Sequence, residues 1–226
     1  MQIGEKMKTV AVVYTSMGGL VNNMKTLLKE ALPDFRIVNI ADDSLINEVI
    51  AAGYPTEGVK TRLFKYFDAA ASLEPELIVS ACSSVGALAE EYNATSNVPV
   101  LRIDHAMILK ALQSGKRIGV LAALGTTMEP TKDYISRLCE KEGQEVEVLG
   151  LVAEGAYQAN VRGEKELYKK LLLDAAGQMK GKVDAVLLAQ GSMASMEQPI
   201  HELLGVPVLS SPKLCCEEVV KIVRGE

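Results

Sequence analysis

With 226 residues, of which 48% are hydrophobic and 23% charged, the chain carries enough apolar material for one large or two small packed domains and is too apolar to stay disordered. Acidic residues outnumber basic ones 29 to 24 and no Lys/Arg cluster appears, so the electrostatic footprint of a DNA or RNA binder is missing. No apolar run reaches the length of about 18 residues that spans a membrane, and Met1 to Lys8 lack the apolar centre of a signal peptide. The expectation is a cytoplasmic protein with neither nucleic acid nor membrane as a partner.

In chain order, Lys8 to Tyr14 is a continuous apolar run of buried-strand type, closed by Thr15-Ser16-Met17-Gly18-Gly19 and followed by a helical pattern from Leu20 to Leu32. Phe35 to Ile40 predicts a second strand, and Ser44 to Ala52 and Val59 to Leu73 predict helices separated by Tyr54-Pro55-Thr56. Leu77-Ile78-Val79-Ser80-Ala81-Cys82 is a further buried strand, with Ser83, Ser84 and Gly86 opening the next helix; Val98-Pro99-Val100-Leu101 begins another strand. Strands alternating with helices imply parallel sheets with right-handed crossovers, an α/β fold.

Val98-Pro99-Val100-Leu101 recurs 108 residues later as Val206-Pro207-Val208-Leu209. The same offset lays the first strand on Arg117 to Leu121, which is followed by Gly125-Thr126-Thr127, and lays Leu77 to Val79 on Ala185 to Leu187. Agreement at three strands without a gap marks a duplicated unit. We therefore expect two pseudo-symmetric lobes, each a parallel sheet flanked by helices: residues 1–105, joined by a C-terminal helix over 212–226, and residues 106–211. A seam is expected near Asp104 to Gly115, and the active site in a cleft between the lobes.

The strand ends carry the polar chemistry. Thr15-Ser16, Cys82-Ser83-Ser84, Gly125-Thr126-Thr127 and Gln190-Gly191-Ser192 all fall where a strand gives way to a helix, and open α/β sheets bind ligands there. Hydroxyls together with the unpaired N–H groups of helix starts suit a small carboxylate. The same field is expected to lower the pKa of Cys82 and make it a base or nucleophile. The plain alternative is that Cys82 is a small buried hydrophobe.

Cys139 falls in the apolar pattern of Tyr134, Ile135 and Leu138, and Cys215 and Cys216 share a helix with Val219, Val220 and Val223, so all three read as core. His105 reads as a capping or packing residue and His201 as a surface residue. Four cysteines and two histidines without spaced pairs imply no metal. Neither a P-loop nor a Gly-x-Gly-x-x-Gly string occurs, so no nucleotide cofactor is expected.

The glycine turn after the first strand, Ala81-Cys82-Ser83-Ser84, the strand from Ile118 with its Gly-Thr turn, and the paired lobes together resemble the aspartate/glutamate racemase superfamily, which includes hydantoin racemases, maleate isomerase and arylmalonate decarboxylase. The resemblance covers essentially the whole chain. It implies two α/β lobes, no cofactor, frequent dimers and a small carboxylic acid or amino-acid derivative as substrate. Cys82 would then be catalytic, with Thr15, Ser16, Ser83, Ser84, Thr126, Thr127, Gln190, Gly191 and Ser192 around the substrate. Racemases of this family typically carry Cys-Asn-Thr in the first lobe and Gly-Cys-Thr in the second. Here Ser83 and Ser84 replace Asn-Thr, and Gln190 stands where the second cysteine would be. Removing a proton from one face of a carbon and returning one to the other takes two acid/base groups, and Gln190 does not titrate. One-sided chemistry by Cys82 remains: an isomerase-like reaction or, alternatively, a one-base decarboxylation. A non-catalytic carboxylate-binding protein is the reading from a different class.

Overall fold

The computed structural model describes residues 7–226. It holds two four-stranded sheets, all of whose pairings are parallel. The first contains β1 (Thr9–Tyr14), β2 (Arg36–Ala41), β3 (Leu77–Ser80) and β4 (Val100–Arg102) in the order β2-β1-β3-β4. The second contains β5 (Arg117–Ala122), β6 (Glu147–Val152), β7 (Ala185–Leu188) and β8 (Val208–Leu209) in the order β6-β5-β7-β8. Helices α1 (Gly19–Ala31), α2 (Asp43–Ala52), α3 (Glu57–Ala71) and α4 (Gly86–Asn93) connect the first set, and α5 (His105–Leu112) leads to the second. There α6 (Met128–Glu142), α7 (Ala156–Val161), α8 (Lys165–Gly177) and α9 (Glu197–Leu204) make the connections, and α10 (Ser211–Arg224) closes the chain.

The offset of 108 residues holds in three dimensions. Val10 pairs with Leu77 in the first sheet, and Ile118 pairs with Ala185 in the second; Ile78 pairs with Val100, and Val186 with Val208. The repeated Val-Pro-Val-Leu has a physical role in both. Pro99 and Pro207 have no N–H to give, so each sits just before its edge strand and contributes only a carbonyl, to Ile78 N and Val186 N respectively, both at 2.9 Å.

The central strands are buried on both faces, and the face on which each residue packs alternates with the two-residue period of a strand. In the second lobe Ile118, Val120, Ala122, Ala185 and Leu187 pack with α5 and α6, including Tyr134, Ile135, Leu138 and Cys139. The alternate residues Leu121, Val186 and Leu188 pack on the opposite side with α7, α8 and α9. In the first lobe Ala11, Val13 and Ile78 meet Leu45, Val49, Leu63 and Phe67 of α2 and α3. Leu63 and Phe67 are fully buried, each contributing on the order of 2 kcal/mol by leaving water. α2 and α3 are capped by Asp42, which accepts from Ser44 N at 2.9 Å, and Thr56, which accepts from Val59 N at 3.1 Å.

The chain forms two compact units: the residues up to Ile103 together with Cys216–Glu226, and Asp104–Cys215. The stretch read from sequence as a seam is mostly helix. Met107, Ile108, Ala111 and Leu112 have helical spacing and are buried in the second unit, so α5 is part of that core and the chain passes between units at Ile103 and Asp104. The last helix begins in the second unit and ends on the first, where Arg224 grips Asp34 with Nη2 at 2.7 Å and Nη1 at 3.2 Å and its guanidinium covers Phe35. Cys139, Cys215 and Cys216 are buried, as expected of core residues. His201 is exposed, with Nδ1 2.8 Å from Val206 O.

Candidate active site

β3 ends at Ser80, two residues before Cys82, earlier than the apolar run suggests. One more ladder bond, Ala81 N to Val13 O at 2.9 Å, carries the edge onward. Cys82 is extended (φ −153°, ψ 117°) and stands immediately before a single 3-10 turn, Ser83–Val85, that runs into α4. The thiol is thus placed at the mouth of a helix start by the end of a buried central strand.

β1 lies beside β3 and delivers Thr15. Its side chain is 2% exposed, and its carbonyl accepts from Ile46 N at 3.2 Å, while Tyr14 O accepts from Asp42 N at 3.1 Å. These bonds tie the start of α2 to the β1 end. Ser16 is half-buried, and Gly18 follows with φ 151° and ψ −158°, a region essentially reserved for glycine. This accounts for one of the two glycines in the turn.

Four donors surround the Cys82 sulfur: the Thr15 hydroxyl, the N–H groups of Ser84 and Val85, and the Ser84 hydroxyl. Each favours the thiolate. Burial opposes them and is the larger effect, so the thiol is pushed above its ordinary pKa. The expectation of a lowered pKa is corrected here, because helix-start donors are visible in sequence and desolvation is not. Cys82 rests as a neutral thiol near pH 7, with donors in place to receive the thiolate when the proton leaves. Ser83 and Ser84 are both buried, at 7% and 2% exposed.

The second lobe repeats the frame with different groups. Ala189 N donates to Leu121 O at 2.9 Å, Gln190 is extended (φ −123°, ψ 134°), and a longer 3-10 segment, Gly191–Met196, precedes α9. The position equivalent to Thr15 is Ala123, which has no hydroxyl. Gln190 closes this corner on itself. Its Oε1 accepts from Ala123 N at 2.7 Å, and its Nε2 donates to Leu124 O at 3.1 Å and to Thr127 Oγ1. Thr127, 4% exposed, also donates to Leu124 O at 2.9 Å. Both amide hydrogens of Gln190 are therefore taken up within its own lobe. Thr126 and Gly191 are half-buried, Gly125 and Ser192 exposed.

His105 opens α5 with its ring 6.2 Å from that of Tyr134, the packing role expected of it. Arg102, at the end of β4, carries no motif and escapes a motif-based reading. Its only sequence signal is a cation closing an apolar strand. Among the described residues no group of three or more His, Cys, Asp or Glu could hold a metal, and no helix is long and apolar enough to cross a membrane.

Comparison with known proteins agrees with this frame. A profile of the Asp/Glu/Hydantoin racemase family matches residues 19–219. Glutamate racemase isoform RacE1 from Bacillus anthracis superposes with a TM-score of 0.79 at 20% identity, over 98% of this chain and 83% of that one. An aspartate racemase from Picrophilus torridus gives 0.73 at 14% identity, over 96% and 94%. An allantoin racemase from Klebsiella pneumoniae gives 0.67 at 16% identity, over 96% and 88%. No curated protein sequence matches the chain.

Proposed function

Because the chain belongs to the Asp/Glu/hydantoin racemase family, we propose that it is a cofactor-independent enzyme of isomerase type, in which the Cys82 thiol moves a proton on one face of a small carboxylic acid or amino-acid derivative. The observation that carries this reading is the four-donor cradle around a thiol held protonated by burial. In the protonating direction the S–H bond breaks, its proton goes to the carbon next to the carboxylate, and the sulfur keeps the electron pair as a thiolate facing Thr15, Ser84 and Val85. The thiolate first takes that proton from the same face; its return to the same carbon is exchange with retained configuration, and its return to the other end of the delocalised carbanion moves a double bond. In both cases the thiol is regenerated and no other reactant is consumed.

Ser16 and Ser83 are the hydroxyls nearest in sequence to this cradle, and we assign them to the substrate carboxylate, the single hydroxyl hydrogens of Thr15 and Ser84 being directed at the sulfur. In the second lobe Thr126 and Ser192 are the hydroxyls at the corresponding strand ends, whereas Gln190 and Thr127 hold their own turn. Four free thiols suit a reducing compartment, and we place the enzyme in the cytoplasm.

The test is turnover, read for aspartate, glutamate and hydantoins as proton exchange in D2O and for small unsaturated dicarboxylates as isomerisation, by the wild type and by Cys82→Ala. A substrate turned over by the wild type and left untouched by a folded Cys82→Ala supports the assignment. Equal turnover by both proteins removes Cys82 from the reaction.

A further inference from the structure

Gly86 opens α4 with ordinary helical angles, φ −58° and ψ −37°, so its backbone makes no demand for glycine. The space around it does. A Cβ at this position would stand 2.3 Å from Cζ, 2.4 Å from Nη2 and 2.6 Å from Nε of Arg102. The guanidinium therefore lies directly against the first turn of α4. Arg102 is 3% exposed, and its Nη1 donates to Glu90 Oε2 at 2.7 Å, one turn further along the same helix.

The main chain of Arg102 is anchored on the other side of Cys82. It pairs with Ser80 in the β3–β4 ladder, and the next residue, Ile103, donates its N–H to Ser80 O at 3.1 Å. Backbone on β3 and side chain on α4, Arg102 spans the segment Ala81–Val85 that contains the thiol and the two amides facing it. A buried guanidinium at a helix N-terminus works against the helix dipole and against desolvation. Filling the same space with an apolar side chain would avoid both costs.

We infer that Arg102, seated on Gly86, is a positioning residue for Cys82, clamping the 3-10 turn so that the N–H groups of Ser84 and Val85 stay aimed at the sulfur. Its functional meaning rests on the proposed role of Cys82. The second lobe supplies the contrast. Ser210 and Ala194 occupy the positions equivalent to Arg102 and Gly86, and the tie there is Ser210 N to Glu197 Oε1 at 2.6 Å. A corner without a thiol has no guanidinium brace.

The experiment is alkylation of Cys82 by iodoacetamide across pH, read by mass spectrometry of its own peptide, in full-length wild type, Gly86→Ala and Arg102→Lys. Both variants keep the positive charge and disturb only the seat of the flat guanidinium. Exposure of the sulfur alone would relieve its desolvation and lower the midpoint, so an upward shift reports lost donors and not a loosened site. The expected result is a midpoint shifted upward in both variants, with about threefold to tenfold less thiolate at a fixed pH below it. Ala194→Gly in the second lobe leaves the midpoint unchanged. Should Gly86→Ala fail to fold, Arg102→Lys, which only thins the side chain, gives the same reading. Midpoints identical to wild type in the folded variants overturn the brace. A shifted midpoint combined with unchanged turnover by Cys82→Ala keeps the brace and rejects the catalytic role of the thiol.

Discussion

The ends of β3 and β7 occupy matching places in two sheets of matching strand order, yet one turns a thiol toward a set of donors and the other closes on itself. In the first, a thiol faces four donors, two of them main-chain. In the second, an amide satisfies a backbone N–H, a backbone carbonyl and a threonine hydroxyl of its own lobe. Equivalent positions in a duplicated fold share a backbone frame, and the residue at the end of the strand decides which groups that frame gathers.

The largest expected effect separates the two corners by activity. Cys82→Ser keeps a hydroxyl for the same four donors but is far too weak an acid to exchange a proton near neutral pH, so turnover falls by about 10²- to 10⁴-fold while the urea midpoint stays close to wild type. Comparable turnover by the serine variant would show that the thiol is not the proton-transfer group.

Next comes the stability of the second corner. Gln190→Ala leaves the buried Ala123 N–H without its acceptor and strips two donated bonds from the turn, at a cost of about 2 kcal/mol, measurable by urea unfolding. A smaller change than about 0.5 kcal/mol would mean that water replaces the amide without penalty.

The raised Cys82 pKa predicts a pH profile with a definite sign. Proton abstraction from substrate needs the thiolate, so its rate climbs about tenfold per pH unit until pH passes a pKa lying above the ordinary 9.0. Protonation of a bound carbanion shows the opposite trend, full below that pKa and lost above it. Folding stability follows the same sign: the contribution of a raised thiol pKa is fully present below the unfolded value and is lost as pH rises through the folded one. A profile for abstraction already level at pH 7 would place the thiol pKa below the ordinary range.

The smallest effect tests one donor. Thr15→Val makes the first corner resemble the second, where Ala123 already lacks the hydroxyl, and lowers the thiolate fraction of Cys82 by about threefold. Site-resolved alkylation measures this. No shift would mean that the other three donors hold the sulfur without it.

Much of the fold was legible because duplication leaves a mark that survives divergence. The paired Val-Pro-Val-Leu segments and the common offset of β1 with β5 and β3 with β7 require no knowledge of side-chain packing. That α5 belongs to the second core shows only through what Met107 and Ile108 touch. At the site, Cys82 and its hydroxyl neighbours stand out as residue types at strand ends. The direction of the thiol shift does not, because donors are local and desolvation depends on everything packed around the sulfur. Likewise Gln190 reads from sequence only as a group that does not titrate, and its bonds to Ala123 and Leu124 reach across 66 or 67 positions. Arg102 was hidden for a related reason: its significance lies in the missing Cβ of Gly86.

One measurement bears most directly on the claim that Cys82 acts alone while its counterpart is structural. Each enantiomer of an accepted substrate is incubated with wild-type enzyme in D2O, and deuterium at the carbon next to the carboxylate is followed by NMR together with optical rotation. The account predicts exchange in one enantiomer with retained configuration and none in the other, as one acid/base group on one face requires. Deuterium entering both enantiomers with inversion would contradict it, since a second acid/base group would then have to stand on the opposite face.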